Sequence, residues 1–225
     1  MEADGPWHLN ASGTVHVGPG PPPPPFPGHR MGAGRNIAPD LFYRFLDGIG
    51  LSYGATFRGI RRLWQDGDQV FAEVALPAGL DTAGYHIHPA FLDACLHVYP
   101  ALIRRYGQFD GVPSAELGVY VPITIDAFHI YEPGVERAWV HGIVIDREAD
   151  EARLKLDIRA YGEDGRPIAV LRGLTVRRVV EAVAIYSSRD DLFRNYPELE
   201  PEDVRQALAF AAANLEDSAS ESNAA

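Results

Sequence analysis

The chain has 225 residues, of which 46% are hydrophobic and 23% are charged, as expected for one compact domain with appendages. Its formal charge of −11 argues against general nucleic-acid binding by the whole chain, because neutralising phosphates requires a basic surface. No apolar run approaches the roughly 18–20 residues of a membrane span, and the first residues lack a signal-peptide core. A cytoplasmic location is therefore expected.

The N-terminal segment is predicted to lie outside the compact domain. Within residues 1–17, the stretch from Trp7 to His16 has the pattern of the last strand of a preceding unit. Residues 18–36 are rich in proline and glycine, with five consecutive prolines at Pro21–Pro25. This composition predicts an extended, disordered linker without a core of its own.

The following residues alternate between helical and strand periodicity. We predict a short helix over Pro39–Gly50 and a long central helix over His88–Tyr106. The predicted strands are Gln69–Leu76, Ile123–Tyr131, Arg137–Asp146, Arg153–Tyr161 and Ile168–Arg178. The strand at Arg153–Tyr161 is the clearest, because apolar and charged residues alternate along it. Asp164-Gly165 supplies a turn to the last strand.

The segment Tyr85-His-Ile-His-Pro-Ala-Phe-Leu-Asp-Ala-Cys-Leu-His97 carries the candidate chemistry. Asp93 and His97 are four residues apart, so they share one face of the predicted helix. A carboxyl buried in so apolar a helix must be hydrogen-bonded or protonated, and both conditions suit a general acid. Pro89 fits the first helical turn, whereas Pro100 is expected to kink or end the helix. The single cysteine, Cys95, is predicted to be a small buried hydrophobe.

These residues resemble a known family. His88-Pro-Ala-Phe-Leu-Asp-Ala-Cys-Leu-His97 is similar to the second catalytic motif of the dehydratase domains of modular polyketide synthases. Tyr53-Gly-Ala-Thr-Phe-Arg-Gly59 resembles the signature that precedes this motif in the family. Val121-Pro122 and Tyr161-Gly-Glu-Asp-Gly-Arg-Pro167 resemble two later segments. The resemblance spans Pro39 to Val179 in the family's order.

The resemblance implies an α+β hotdog fold, an antiparallel sheet wrapped around a long central helix. Each dehydratase holds two hotdogs, and residues 37–180 would form the second, with residues 1–17 left from the first. In the family reaction, a β-hydroxyacyl thioester loses water to give an α,β-unsaturated thioester. Asp93 would protonate the departing hydroxyl and His97 would orient Asp93. The implied substrate-binding residues are Tyr53, Gly59, His88 and Pro89.

The base that removes the α proton belongs to the family's first hotdog. A literal match to its motif, from His16 to Pro25, is set aside because it lies in a low-complexity run with no hydrophobic helix behind it. The chain is therefore expected to be inactive alone, and whether it is an enzyme in its own right stays open. The implied partners are an acyl carrier protein, the missing first hotdog or neighbouring synthase domains, and a second copy of the chain. No cofactor is implied beyond the carrier's phosphopantetheine arm.

Several residues and the function as a whole have alternative interpretations. His86 and His88 could be drawn as a metal site with Asp93 and His97, but these positions do not obviously converge. Three arginine groups could steer an acidic carrier protein, although solvated surface arginines are the simpler interpretation. They are Arg58, Arg61 and Arg62, then Arg104 and Arg105, then Arg177 and Arg178. A non-catalytic hotdog scaffold, a pyran-forming cyclase and a double-bond isomerase remain alternative functions.

The C-terminal part departs from the dehydratase pattern. Residues 190–212 resemble the tail of small bacterial antitoxin-like proteins, and DNA binding is not carried over because that family's DNA-binding half is missing. Residues 181–214 are predicted to be a helical tail, with Pro201 at the first position of one helix. Residues 215–225 are expected to be disordered.

Overall fold

The computed structural model describes residues 12–18, 20–103, 119–149, 152–178, 188–195, 201 and 204–205. Its helices are α1 (Pro39–Gly48), α2 (Pro89–Leu96) and α3 (Arg189–Asn195), and its 3-10 turns are Gly28–Arg30, Ala55–Phe57 and Pro100–Leu102. Its strands are β1 (Arg35–Asn36), β2 (Ile60–Asp66), β3 (Gln69–Ala75), β4 (Tyr120–Thr124), β5 (Ala127–Ile130), β6 (Arg137–Arg147), β7 (Arg153–Tyr161) and β8 (Pro167–Arg178).

All eight strands form one antiparallel sheet around the central helix. The strand order is β1-β2-β3-β6-β7-β8-β4, and β5 also pairs with β8. Helix α2 contacts β3 and β7 on one face of the sheet, which we call the inner face. Phe91 and Ala94 of α2 join the same buried cluster as Leu156 and Leu174 of the sheet. This is the predicted hotdog fold.

Strand β7 shows why the sequence forms this sheet. Leu154, Leu156, Ile158 and Ala160 are buried in the core, whereas the alternating charged residues point to the outer face. Burying one side of each strand fixes its register, because a slip of one residue would exchange the two faces. The predicted bounds of β7, Arg153–Tyr161, match the observed bounds.

The central helix is shorter than predicted. Helix α2 ends at Leu96, and a separate 3-10 turn begins at Pro100, whose ring cannot continue an α-helix. Ile103 has extended backbone angles, so the predicted single helix over His88–Tyr106 is wrong. Residues 104–106 lie outside the described part of the chain.

Two sheet features also differ from the sequence prediction. Strand β2 was not predicted, because Arg61 and Arg62 interrupt the alternation and a register shift lies between Ile60 and Arg62. The predicted strand Ile123–Tyr131 is two strands, both paired with β8. Gly173 lies between the two paired parts of β8 with φ +63°, a conformation that favours glycine.

The proline-rich linker lies across the outer face of the sheet. The hydroxyl of Tyr131, next to β5, donates to the carbonyl of Pro21 (2.8 Å), and the Tyr161 hydroxyl of β7 donates to that of Pro24 (3.1 Å). The Phe26 ring contacts the Tyr161 ring with centroids 5.0 Å apart. We call Pro21–Arg30 the strap. Its proline-rich part is extended and has no core of its own, as predicted, and Gly28–Arg30 form a 3-10 turn. The predicted disorder is wrong, because these hydrogen bonds and the ring contact hold the strap on the sheet.

The strap ends at the opposite side of the sheet. Arg30 forms an ion pair with Asp66 of β2, and the chain then enters β1, which pairs with β2. Gly34 has φ +83°, and a Cβ there would lie 2.2 Å from the Gln65 carbonyl oxygen, so glycine is required for this approach. The strap therefore runs from the β5 edge to the β1 edge.

His141 is a buried histidine on the outer face of β6. Its ring stacks on Phe71 (4.6 Å between centroids), and Nε2 lies 3.0 Å from the Gln69 amide oxygen. Burial, with the positive charges of Arg159 and Arg30, lowers the pKa of His141 to about 4. The folded chain therefore holds this imidazole neutral.

We expect His141 to make folding stability depend on pH. The unfolded chain binds a proton near the ordinary histidine pKa of about 6.5, so stability is lost as the pH falls from there toward 4. His141→Gln cannot titrate and should show a shallower loss. The free energy of urea unfolding at pH 7 and pH 5 measures both slopes, and equal slopes in the two proteins would contradict the prediction.

Both ends of the chain are only partly described. Residues 12–17 are exposed and lie in no strand, and the rest of the predicted N-terminal strand is outside the described residues. In the tail, Leu192 and Val204 are buried. The domain boundaries at residues 17, 36, 180 and 214, and the disorder of residues 215–225, stay predictions. Among the described helices, none is long and apolar enough to cross a membrane.

Candidate functional site

The site is built on the first turns of α2. His88 caps the helix, because its Nδ1 accepts the Ala90 N–H (3.2 Å). Pro89 occupies the first helical position, where a missing N–H costs nothing. Both residues, predicted to bind substrate, thus set the start of the helix that carries Asp93, and their contact with substrate stays a prediction.

Asp93 and His97 form the predicted i,i+4 pair. Asp93 Oδ2 lies 2.9 Å from His97 Nε2. The His97 side chain is only 2% exposed, whereas the Asp93 side chain is 37% exposed. The expectation that Asp93 is buried is therefore wrong for the described residues. The open side of α2 also carries the half-buried Leu92 and Leu96.

Two tyrosines hold the His97 ring. The Tyr43 hydroxyl of α1 lies 3.2 Å from His97 Nδ1, and its oxygen accepts the N–H of Ile60 (3.2 Å). The Tyr53 ring packs on His97 with centroids 4.1 Å apart. Burial raises the pKa of Tyr43 to about 12, and burial with the negative charge of Asp93 does the same for Tyr53. Both hydroxyls therefore stay protonated.

Tyr43 was missed by sequence reasoning. It belongs to the run Leu41-Phe-Tyr-Arg-Phe45, where its neighbours supply the apolar stripe of α1. The available signal was a tyrosine among the apolar residues of the predicted helix, because the hydroxyl of a buried tyrosine usually has a hydrogen-bond partner. That partner lies 54 residues away in sequence.

Gly59 lies where the chain passes against α2. A Cβ at Gly59 would lie 2.5 Å from the Ala94 Cβ and 3.2 Å from the Ala75 carbonyl oxygen. The Gly59 carbonyl also accepts the Ala75 N–H (2.9 Å). The structure thus gives Gly59 a packing role, and its predicted contact with substrate stays a prediction.

We expect Gly59→Ala to destabilise the fold by about 1–3 kcal/mol, because the added methyl overpacks the contact between the chain and α2. Ala94→Gly removes the nearest clashing atom, so the double variant should lose less stability than the sum of the single changes. Urea unfolding of the four proteins gives this coupling energy. Strict additivity would mean that the two positions do not meet.

A small apolar crevice lies between α2 and the sheet. Its walls are Ile87, Phe91, Leu92, Cys95, Ile158, Ala160, Ala169 and Leu171. Cys95 is buried, as predicted, and burial raises the pKa of its thiol. Its volume of about 10 Å³ is close to the minimum for one water molecule, so the crevice as it stands is too small for an acyl chain.

The described arginines of the three groups lie on different elements. Arg58 donates to the Tyr53 carbonyl (2.8 Å) and pairs with Asp47, and Arg62 pairs with Glu73. Arg61 is exposed. Arg177 and Arg178 lie on β8, and Arg104 and Arg105 are outside the described residues.

Other candidate histidines have separate places. The His86 carbonyl accepts the Gly134 N–H (2.8 Å), and His16 lies in an exposed segment without helix. The described ranges contain no group of three or more His, Cys, Asp or Glu residues that could hold a metal ion. The pair at Asp93 can hold, donate or accept one proton.

Comparison with protein families gives two matches. A model described as "Polyketide synthase dehydratase N-terminal domain" matches residues 21–184. A second model, "Protein of unknown function (DUF433)", matches residues 164–211, which include part of the tail that resembles antitoxin-like proteins. The first match covers most of the chain and the second about a fifth.

Similar curated proteins are large synthases. The chain is 33% identical over 199 residues to polyketide synthase GfsA of Streptomyces halstedii, covering 85% of this chain and 2% of that protein. Identity to GfsB of the same organism is 42% over 180 residues, covering 78% and 3%. The chain thus spans only a few per cent of the length of these relatives.

Similar solved structures are dehydratase domains. The domain from the CurJ module of curacin polyketide synthase superposes with a TM-score of 0.59 at 22% identity, covering 68% of this chain and 53% of that one. An isomerase-inactive variant of GphF DH1 gives 0.55 at 26% identity, covering 64% and 49%. The chain matches about half of each solved domain.

Proposed function

Because the chain belongs to the polyketide synthase dehydratase family, we propose that it is the second hotdog of such a dehydratase and supplies the acid for loss of water. The observation that carries this proposal is the Asp93–His97 pair on the capped helix α2. The matching family model is described as the N-terminal domain, so assignment to the second half rests on the motif around Asp93. Two structurally similar CurK dehydratases are described as inactive mutants, one with an aspartate and one with a histidine replaced.

The proposed reaction divides two proton transfers between two hotdogs. A base on the other hotdog removes the α proton of a β-hydroxyacyl thioester, and the C–H electrons form the new double bond. The β C–O bond breaks while protonated Asp93 donates its proton to that oxygen, which leaves as water. His97 holds one carboxyl oxygen, and the other has no hydrogen-bond partner among the described residues. That free oxygen is available to the substrate.

The exposed sheet edge supports docking of another hotdog. In β5, Phe128 pairs with Leu171 and Ile130 with Ala169, and directly paired residues share a face. Phe128 and Ile130 therefore lie on the inner face, beyond the helix, and are 38% and 44% exposed. In the described residues β8 is the strand paired with β5, so its other edge is open. A docked hotdog would bury this apolar surface.

The path of the chain just before the strap is a second argument for docking at the β5 edge. Gly20, just before the strap, lies beside His129 and Tyr131 at the β5 end, since a Cβ there would be 3.4 Å from His129 Nδ1. The chain before the strap therefore arrives at the edge that carries Phe128 and Ile130. We propose that a preceding or separate first hotdog pairs there, and a second copy of the chain is the alternative occupant.

The remaining partners follow from this proposal. The substrate would arrive on the phosphopantetheine arm of an acyl carrier protein, with no further cofactor, in a cytoplasmic synthase assembly. Exposed Arg61, near the start of β2, is available to an acidic carrier surface. Neighbouring synthase domains would supply the hydroxyacyl substrate and consume the unsaturated product.

The proposal is tested by reconstitution. The full chain is incubated with a β-hydroxyacyl thioester, alone and with the separately produced first hotdog of a related synthase, and loss of water is followed by mass spectrometry. The relative's own two halves, recombined, show that reconstitution works. We expect turnover only in the mixture. Turnover by the chain alone would overturn the half-site proposal. If no mixture with a working first hotdog showed turnover, a scaffold function would be favoured.

Matched variants test the docking edge. Ile130→Lys puts a charge on the inner face at the open edge and should abolish binding of the first hotdog. Ile145→Lys changes an equally apolar and more exposed residue, 55% exposed, on β6 away from that edge. Sedimentation velocity measures binding for both variants. Binding lost equally in the two proteins, or in neither, would contradict docking at β5.

A further inference from the structure

The hydrogen bonds of Tyr43 determine which His97 nitrogen carries the proton. The hydroxyl is buried and has two partners among the described residues, the Ile60 N–H and His97 Nδ1, each at 3.2 Å. The Ile60 N–H can only donate, so the Tyr43 oxygen accepts it. The direction of the hydrogen bond between Tyr43 and His97 then depends on whether Nδ1 carries a proton.

One direction leaves a buried donor unsatisfied. If Nδ1 carried a proton, it would donate to the Tyr43 oxygen, and the Tyr43 O–H would have no acceptor among the described residues. Buried hydroxyls without a partner are costly and rare. If Nδ1 is unprotonated, it accepts the Tyr43 O–H and every group in the chain of bonds is satisfied.

This chain of bonds reaches the acid. We propose that Tyr43 is a positioning residue that fixes His97 as the neutral Nε2–H tautomer, and thereby reserves Asp93 Oδ2 as an acceptor. The Nε2–H donates to Oδ2 at 2.9 Å, so the proton of the acid form lies on Oδ1. Resting on the proposed function, this assigns proton donation to one oxygen of Asp93, the one without a partner in the described residues.

The ring contacts keep this arrangement in place. Tyr53 packs on one side of the imidazole, and Tyr43 meets it edge-on with centroids 5.8 Å apart. His97 is nearly fully buried, so water does not compete for Nδ1. In functional histidines, the hydrogen bond at one ring nitrogen commonly decides whether the other nitrogen carries the proton. Here Tyr43 makes that hydrogen bond.

The tautomer can be measured without any substrate. The full chain, labelled with ¹⁵N-histidine, gives long-range ¹H–¹⁵N spectra whose cross-peak pattern distinguishes Nε2–H from Nδ1–H. His97→Gln assigns the signal among the eight histidines by its loss. We expect pure Nε2–H in the unaltered chain. An Nδ1–H or imidazolium pattern at neutral pH would overturn the proposal.

A matched pair of variants tests the role of Tyr43. Tyr43→Phe removes the donor to Nδ1 and should abolish the single Nε2–H pattern. Tyr99→Phe removes another buried hydroxyl, which donates to the Tyr120 carbonyl (2.8 Å), and should leave the pattern unchanged. If Tyr43→Phe keeps pure Nε2–H, or if Tyr99→Phe also loses it, the proposal fails. Should Tyr43→Phe not fold, the pattern of the unaltered chain still decides.

Reconstituted activity separates this proposal from the proposed function. Tyr43→Phe should lower kcat by about 10–100-fold with little change in KM, as expected for a supporting hydrogen bond. Absence of dehydration by the unaltered mixture would reject the proposed function while leaving the tautomer result intact. Full activity in Tyr43→Phe would reject the positioning role alone.

Discussion

Replacing Asp93 by asparagine is expected to lower the dehydration rate of the reconstituted site by about 10²–10⁴-fold, the usual contribution of a general acid. The amide oxygen can still accept the His97 Nε2–H, so the local geometry is retained. The amide cannot donate a proton to the leaving hydroxyl as a carboxylic acid does. Initial rates of water loss, measured by mass spectrometry on the mixed hotdogs, give the ratio.

The control for this experiment is Asp40→Asn. Asp40 is an exposed acid in the first turn of α1, and its replacement makes the same change of charge away from the site. We expect its rate to stay within about twofold of the unaltered mixture. If Asp93→Asn retained full turnover, Asp93 would not be the acid. Retained docking without any role for Asp93 would leave the scaffold function as the better explanation.

Product analysis distinguishes the related chemistries. A dehydratase product has lost water, whereas a double-bond isomerase leaves the mass of its substrate unchanged. One structural relative is described as an isomerase-inactive variant of a dehydratase, so double-bond isomerisation is the activity to distinguish from dehydration. We expect loss of water here because a donor carboxyl and its histidine partner are both present at the motif.

Replacing Phe91 by alanine is expected to reduce the free energy of unfolding by about 3–5 kcal/mol. Phe91 is a fully buried residue of α2 and also lines the small crevice between α2 and the sheet. Its ring fills the space between the helix and the inner face, and the shortened side chain would leave a cavity. Urea unfolding at neutral pH measures the loss.

Phe57→Ala provides the matched control. Phe57 lies in the 3-10 turn before β2 and is exposed, so its truncation should cost about 1 kcal/mol or less. Similar losses for the two variants would mean that the packing of α2 against the sheet contributes little to the free energy of unfolding. Because α2 also positions Asp93, we expect Phe91→Ala to weaken reconstituted activity as well.

Local sequence patterns predicted the elements whose burial repeats regularly. Strand β7 and helix α1 were found because their apolar residues recur every second residue or at helical spacing. The turn at Asp164-Gly165 was predicted from the Asp-Gly pair, and Gly165 adopts φ +80° there. Strand β2 was missed because its arginines hide the alternation, and its place is decided by pairing with β3.

The sequence by itself determined the hotdog fold, through its ordered resemblance to the dehydratase family, and the i,i+4 pair of Asp93 and His97, through helical spacing. Only the tertiary structure decided that Tyr43 meets His97, that α2 leaves Asp93 partly open, and that the strap crosses the outer face. These contacts join residues 54 and 137 positions apart. Such contacts depend on how the whole sheet curves and packs, and no local pattern encodes them.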